Sequence, residues 1–300
     1  MAAMLMPMPM LTEQQPRLIR KHPGKIVKIK YKPISQTMKI KFSKYHGAGN
    51  DFVIIDDRDG NNQLSAKQIA FICDRRRGVG ADGLMLLQSS PKADFRMLYY
   101  NSDGHTASMC GNGGRCITAF ALNLGIIGTE TRFEAGDDMH FAQVMQWNAL
   151  STVVKLDMNI VEPPRPVLDG YFANTGVPHY VQQVADIADY DVFTNGRALR
   201  NNPAFAPHGA NVDFIGTDSN GRLFVRTYER GVEGETLSCG TGVTAAALVW
   251  AIMQGGDMCH VPVHTLGGDF EVGWKKSGNK VESVYLQGPA TFVFDGEGEF

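Results

Sequence analysis

Short apolar runs separated by polar turns fill the chain beyond residue 38, and this pattern predicts many short strands. The runs are rich in Val, Ile, Leu, Phe and Tyr, side chains that mostly pack well on a pleated surface. The predicted strands cover residues 52–55, 84–87, 95–100, 152–157, 212–215 and 223–228. The pattern therefore favours a fold dominated by β-sheet.

Three segments instead show the apolar spacing of helices: residues 66–76, 116–124 and 243–253. The first places Ile69, Ile72 and Cys73 on one face, and each of the others follows a glycine-rich turn. The last segment is apolar on nearly every side, and a helix of that kind must be enclosed by other elements. At about eleven residues it is too short to span a bilayer. We therefore expect strands to wrap around it.

Two similar stretches organise the chain. Cys110-Gly111-Asn112-Gly113 and Cys239-Gly240-Thr241-Gly242 each follow a strand and a polar turn, and each opens a predicted helix. The upstream matches are Asp82 with Asp213, 28 and 26 residues before the cysteine, and Asn50 with His179, both 60 residues before it. Self-similarity in the same order indicates a duplicated unit. We predict an α+β fold of two pseudo-symmetric halves, each a curled β-sheet or barrel around a central helix.

The charge distribution sets the first residues apart from the rest. Residues 1–37 carry seven Lys and Arg against one acidic residue, and they lack the continuous apolar core of a secretory signal. We expect these residues to form a basic, disordered extension. Residues 38–154 together with 285–300 are expected to form the first half, and residues 155–284 the second.

Composition narrows the class of protein. A net charge of −2 argues against nucleic acid or an anionic membrane as partner, and no run of about 18 apolar residues predicts a membrane span. Five cysteines, an odd and low number, argue against a disulfide scaffold and favour reduced thiols in the cytoplasm. No C-x-x-C pair is present, so we expect no zinc site. The three remaining cysteines (Cys73, Cys116 and Cys259) lack the glycine-rich context and are read as core or incidental residues.

The two cysteines at helix starts predict a particular chemistry. A helix N-terminus presents unpaired N–H groups that hold anions and ease the ionisation of a thiol. If the two halves face each other, both sulfurs look into one cleft. One thiolate can then remove the α-hydrogen of an amino acid while the opposite thiol returns one to the other face. This arrangement inverts a stereocentre without a cofactor or a metal.

These segments resemble the diaminopimelate epimerase family. The resemblance rests on residues 46–52, 101–104, 110–116, 176–179, 210–212, 229–231 and 234–242, and it extends from residue 39 to the end of the chain. It implies two similar halves with the active site between them. It also implies epimerisation of LL-2,6-diaminopimelate to meso-diaminopimelate, a step toward lysine and peptidoglycan. The expected partner is this small molecule, and a homodimer is one option for assembly.

The resemblance also implies roles for particular residues. Cys110 and Cys239 would be the catalytic acid and base, and His179 and Glu229 would tune their pKa values. The residues that would bind substrate, through backbone N–H groups or side chains, are Asn50, Asn101, Gly111, Asn112, Asn211, Glu229, Arg230, Gly240 and Thr241.

Two positions depart from the family pattern. Many members have Gln where this chain has Gly83, and Asn where it has Val177. Either the backbone and neighbours such as Asn174 replace these amides, or the substrate differs. Two alternatives therefore stay open: a racemase of the same fold for another amino acid, and a thiol redox sensor in which Cys110 and Cys239 form a reversible disulfide.

Overall fold

The computed structural model describes residues 38–300 except 108, 137, 161, 256, 257, 278 and 279. The extension predicted for residues 1–37 lies outside the described residues. In the described part, sixteen strands form one continuous sheet. They are β1 Lys39–Gly47, β2 Asn50–Asp56, β3 Gly83–Gln88, β4 Phe95–Asn101, β5 Glu130–Ala135, β6 Asp138–Trp147, β7 Ser151–Met158, β8 Glu162–Val167, β9 Gly170–Asn174, β10 Pro178–Gln183, β11 Asn211–Thr217, β12 Leu223–Glu229, β13 Gly234–Thr236, β14 His260–Thr265, β15 Gly268–Ser277 and β16 Lys280–Glu299.

Helices are fewer than strands. They are α1 Ala66–Cys73, α2 Gly111–Asn123, α3 Val192–Arg200 and α4 Gly240–Met253, with a single 3-10 turn at Pro203–Phe205. Each of the six predicted strands lies within an observed one. No helix in the described ranges is long and apolar enough to cross a membrane.

All three predicted helices differ from the structure at an end, and α4 begins at Gly240, three residues before its predicted start. Helix α1 stops at Cys73, three residues early, because the chain folds back and the N–H groups of Val79 and Ala81 bond the last carbonyls. Helix α2 begins at Gly111, so the glycine-rich segment forms its first turn and does not precede it. Helix α3 was not predicted. Its centre carries Gly196, which lowers helix propensity, yet packing against Tyr228 of β12 requires a residue without a side chain there.

The sheet confirms the predicted fold class. In the first half, strands β1 to β7 pair in chain order, and β16 pairs with both β7 and β1, which closes an eight-stranded barrel. Helix α2 packs inside it. In the second half, β9, β10, β11, β12, β14 and β15 repeat the alternation of parallel and antiparallel pairs seen from β1 to β6. Helix α4 packs against these strands, with ten of its residues buried, as an all-round apolar helix requires.

The strand register corrects the match made by counting residues. Phe52 pairs with Gly83, which pairs with Asn101 in the first half. In the second half His179 pairs with Asn211, and by extension of the β11–β12 ladder Asn211 faces Glu229. His179 therefore corresponds to Phe52, two positions beyond Asn50, and by the same register Asp213 corresponds to Met85 and not to Asp82. Matching residues by their distance in sequence from the cysteine gave wrong pairs, because the connecting loops of the two halves differ in length.

The two halves share strands. Strand β16 pairs with β15 over its first residues and with β7 and β1 over the rest, and β7 continues through residue 155. The predicted division into residues 38–154 plus 285–300 and residues 155–284 stays a prediction.

Candidate active site

Cys110 and Cys239 cap the two central helices. Each is the residue immediately before the first helical turn, in extended conformation, and neither side chain bonds its own helix as a cap. The helix starts touch: a Cβ built on Gly240 would lie 3.6 Å from the Cα of Gly111. The absence of side chains at these glycines lets the two N-termini approach each other closely.

Both cysteines line one cavity of about 250 Å³ between the two helix starts. All but one of the predicted site residues line it: Asn50, Asn101, Cys110, Gly111, Asn112, Asn211, Glu229, Arg230, Cys239, Gly240 and Thr241. A second cavity of about 860 Å³ lies on the Cys110 side and shares Asn50, Asn101, Glu229 and Arg230 with the first. The structure thus brings together residues that are more than 150 positions apart in sequence.

His179 is the exception, because it lies one layer behind the cavity wall. Its side chain is fully buried, and its Nε2 atom lies 2.9 Å from Oγ1 of Thr241, which does line the cavity. On its other side Nδ1 lies 2.7 Å from Oδ2 of Asp213, also fully buried. Thr241 Oγ1 in turn lies 3.3 Å from Sγ of Cys239. His179 therefore reaches the cysteine only through the threonine hydroxyl.

The surroundings of Cys110 differ. Its thiol donates to Oδ1 of Asn50 at 3.7 Å, and the same oxygen accepts a hydrogen bond of 3.3 Å from the amide of Asn112. The Asn50 amide donates to Asp82 at 2.7 Å, and Arg75 bonds Asp82 on its other oxygen. Cys110 is thus held by a side-chain amide, which accepts a hydrogen bond but takes up no proton at neutral pH.

Burial outweighs the helix N-terminus in setting the thiol pKa values. Burial raises the pKa of both cysteines, and the negative charge of Glu229 adds to this rise. A hydrogen bond from the N–H of Gly113 lowers the pKa of Cys110, and one from Gly242 lowers the pKa of Cys239. Both effects are smaller than the effect of burial. The expectation that the helix ends ease ionisation is wrong for the balance found here, because desolvation of a charged sulfur is the larger effect.

Glu229 and Arg230 stand at the end of β12. Burial raises the pKa of the Glu229 carboxyl. The backbone N–H of Arg230 donates to Oδ1 of Asn211 at 2.8 Å, and Nδ2 of the same amide lies 3.4 Å from Nε2 of His179. Asn211 therefore ties the end of β12 to the buried histidine.

The two departures from the family pattern have different outcomes. Val177 lines the cavity, whereas Gly83 is covered by the ring of Tyr99, since a Cβ on Gly83 would lie 2.5 Å from its Cε2 atom. Asn174 bonds the N–H of Gly176 and is not among the residues lining either cavity, so the suggestion that it replaces a lost amide gains no support.

Sequence reasoning missed three side chains of the site. Tyr99 lies in β4 two residues before Asn101 and lines both cavities, and no motif in the sequence indicated this. Asp213 was noted in the repeat but not given a role. Arg115 is fully buried below the start of α2, where it bonds Oδ1 of Asn112 at 2.9 Å and the carbonyl of Gly111 at 3.2 Å. Burial lowers the pKa of its guanidinium to about 10.

Comparisons with known proteins identify the family of this chain. The family model described as diaminopimelate epimerase matches residues 42–141 and 171–293. The chain is 41% identical to diaminopimelate epimerase of Flavobacterium psychrophilum over 261 residues, covering 85% of this chain and 99% of the relative. It is also 41% identical to the enzyme of that name from Chlorobaculum tepidum, covering 83% and 98%.

Solved structures show the same fold at low sequence identity. A phenazine biosynthesis protein of the PhzF family from Bacillus anthracis superposes with a TM-score of 0.70 at 17% identity, covering 87% of this chain and 99% of that one. A hydroxyproline epimerase from Agrobacterium vitis superposes with a TM-score of 0.63 at 16% identity, covering 87% and 93%.

Fold, site and comparisons define the class of this protein as an isomerase, an epimerase built of two barrel-like halves. Within that class, the chain belongs to the diaminopimelate epimerase family.

Proposed function

We propose that this chain epimerises LL-2,6-diaminopimelate to meso-diaminopimelate without a cofactor, with Cys110 and Cys239 as acid and base. One observation carries the proposal: each cysteine comes from a different half, and both line the same cavity at the N-termini of two touching helices. The names of the relatives support the substrate.

The helix starts suit the carboxylate of the reacting centre. Gly111 and Asn112 line the cavity in the first turn of α2, and Gly240 and Thr241 line it in the first turn of α4. Unpaired N–H groups in the first turn bind anions, and they stabilise the charge that spreads onto the carboxylate when the α-hydrogen leaves as a proton.

The two sulfurs then move one proton each. The thiolate of one cysteine takes the α-proton, so that a C–H bond breaks and an S–H bond forms. The thiol of the other cysteine donates its proton to the opposite face of the carbon, which inverts the centre. The sulfurs end with exchanged protonation states, and the reverse reaction uses them in the opposite order.

The rest of the substrate lies toward the larger cavity. Asn50, Asn101 and Arg230 line both cavities, as does Glu229. They offer amide donors, a guanidinium fork and a carboxylate to the distal amino and carboxyl groups of a diamino diacid. Amino acids without a second polar centre would make no bonds to these cavity-lining groups and so would be poor substrates.

Glu229 and His179 would tune the cysteines. Glu229 faces both sulfurs and opposes their ionisation, while His179 reaches only Cys239, through Thr241. The product would serve lysine and peptidoglycan synthesis in the cytoplasm.

Exchange of the α-hydrogen in deuterated water tests the proposal. Purified protein with a reductant should incorporate deuterium into LL- and meso-diaminopimelate and interconvert them. Absence of exchange with both compounds would overturn the assigned substrate. Exchange with a different amino acid would establish the racemase alternative.

The redox-sensor alternative is tested in the same assay. All five cysteines are free in the structure. An enzyme that uses two free thiols should lose activity when an oxidant links them and regain it with reductant. Full activity in the disulfide form would contradict the two-thiol mechanism.

A further inference from the structure

The two halves place different side chains at the same position beside their cysteines. A Cβ on Gly113, three residues after Cys110, would lie 3.2 Å from Sδ of Met85. A Cβ on Gly242, three residues after Cys239, would overlap Oδ1 of Asp213 and lie 3.2 Å from Cε1 of His179. Two equivalent glycines thus identify Met85 and Asp213 as equivalent, in agreement with the strand register.

At these equivalent positions, only the second half has buried polar side chains. His179 and Asp213 in the second half stand where Phe52 and Met85 stand in the first, and Phe52 packs edge-on against Tyr99. A carboxylate and an imidazole, both fully buried, are costly unless they are paired. Here Asp213 is satisfied twice, by His179 at 2.7 Å and by the hydroxyl of Thr227, which donates at 2.7 Å.

These bonds fix the direction of the chain of donors. An ionised Asp213 accepts the Nδ1 proton of His179, which leaves Nε2 as an acceptor. Of the two groups beside Nε2, the Thr241 hydroxyl at 2.9 Å is nearer than the Asn211 amide at 3.4 Å. Nε2 therefore accepts from the hydroxyl, and Oγ1 of Thr241 accepts from the Cys239 thiol at 3.3 Å. Every donor in the sequence Cys239, Thr241, His179, Asp213 points the same way.

We propose that Asp213, through His179 and the Thr241 hydroxyl, is a positioning residue that lets Cys239 pass its proton to His179 inside the protein. The S–H bond of Cys239 breaks as Thr241 Oγ1 gains that proton, and Thr241 gives its own proton to Nε2. A thiolate and an imidazolium result, with the carboxylate of Asp213 against the imidazolium, and no oxidant or external base takes part. Among the described residues, the partner of Cys110 is the amide oxygen of Asn50, which offers no such path.

Other charges face the same sulfur. Burial and the carboxylates of Glu229 and Asp213 oppose ionisation of Cys239, and Cys110 lies across the shared cavity. The transfer to His179 counters this opposition because the proton stays within the buried cluster and its new positive charge lies beside Asp213. The assignment deepens the proposed epimerase mechanism and rests on it for its catalytic meaning, but the proton path is measurable without substrate.

Alkylation by iodoacetamide, followed cysteine by cysteine with peptide mass spectrometry, tests the path. Because burial raises the pKa of both thiols, rates are measured at a series of pH values from the ordinary thiol pKa of about 8.5 upward, which gives a midpoint for each cysteine. Thr241→Val and Asp213→Asn should each raise the Cys239 midpoint by about one pH unit, a tenfold loss of thiolate at a given pH. The Cys110 midpoint should not move. Thr241→Ser, which keeps the hydroxyl, should behave as the wild type.

A control variant and a second pair of variants complete the test of the path. Met85→Leu, at the position equivalent to Asp213, should leave the Cys239 midpoint unchanged. If Asp213→Asn fails to fold by circular dichroism, the Thr241→Val and Thr241→Ser pair decides alone. An unchanged Cys239 midpoint in folded Thr241→Val overturns the path. If Thr241→Val shifts the Cys239 midpoint as expected but the wild type exchanges no hydrogen with diaminopimelate, the proposed function is overturned and the path stands.

Discussion

Gly242 lies directly against the buried carboxylate of Asp213, so close that no side chain fits between them. Its counterpart in the other half, Gly113, lies against the flexible ends of Met85 and Met97 at 3.2 Å. The same position of a repeated fold thus borders a rigid polar cluster in one half and adaptable thioethers in the other.

This difference predicts unequal effects of adding one methyl group. Gly242→Ala should lower the free energy of unfolding by about 3 kcal/mol, the upper end for overpacking, because Asp213 is held by two hydrogen bonds and cannot move freely. Gly113→Ala is the matched control and should cost about 1 kcal/mol or less, since methionine side chains adapt. Urea denaturation measures both. Equal losses would contradict the asymmetry of the two halves.

Removal of either sulfur should greatly reduce turnover. In Cys110→Ala and Cys239→Ala one of the two proton carriers is lost, and we expect epimerisation to fall by about 1,000-fold, within the range for loss of a general acid or base. Hydrogen exchange in deuterated water and conversion between isomers should be measured together with circular dichroism, which checks the fold. Substantial epimerisation by either folded variant would count against a two-base reaction.

Glu229→Gln should ease the ionisation of both cysteines. Because the Glu229 carboxylate raises the pKa of both thiols, its neutral analogue should move the alkylation midpoints of Cys110 and Cys239 to lower pH. Thr241→Val is the contrasting variant, since it should move only the Cys239 midpoint, and upward. A shift confined to one cysteine in Glu229→Gln would show that Glu229 does not act on both.

The acid stability should depend on Asp51, which neighbours Asn50. Burial opposes its ionisation, but hydrogen bonds from Arg75 and Lys44 outweigh burial and hold its pKa well below the ordinary value. A depressed folded-state pKa contributes stability above the unfolded pKa of about 3.9, and this stability is lost as pH falls below it.

Asp51→Asn should therefore be less stable at neutral pH by about 3 kcal/mol, since Lys44 is left buried without its partner. Its stability should also fall less steeply than that of the wild type as the pH drops below about 4. Urea denaturation at both pH values measures this, with Asp56→Asn as a control whose carboxylate is more exposed than that of Asp51. Parallel pH profiles for Asp51→Asn and the wild type would contradict the assignment.

Several features of the site could be predicted from the sequence because their causes are local. Short apolar runs between polar turns predicted the strands. The apolar segment at 243–253 predicted a helix enclosed by other elements. Cysteine followed by glycines marked the starts of α2 and α4 within the same short segments that form them. The resemblance to the family then predicted most of the residues that line the cavity.

The sequence by itself determined that two similar units each place a cysteine before a glycine-rich helix start. The tertiary structure decided the rest: that His179 matches Phe52, that Arg115 supports the start of α2 from below, and that burial raises both thiol pKa values. These outcomes depend on contacts between distant segments, such as the bond from Arg115 to the carbonyl of Pro289, 174 residues away. Register and desolvation arise only when such segments pack, so no local pattern encodes them.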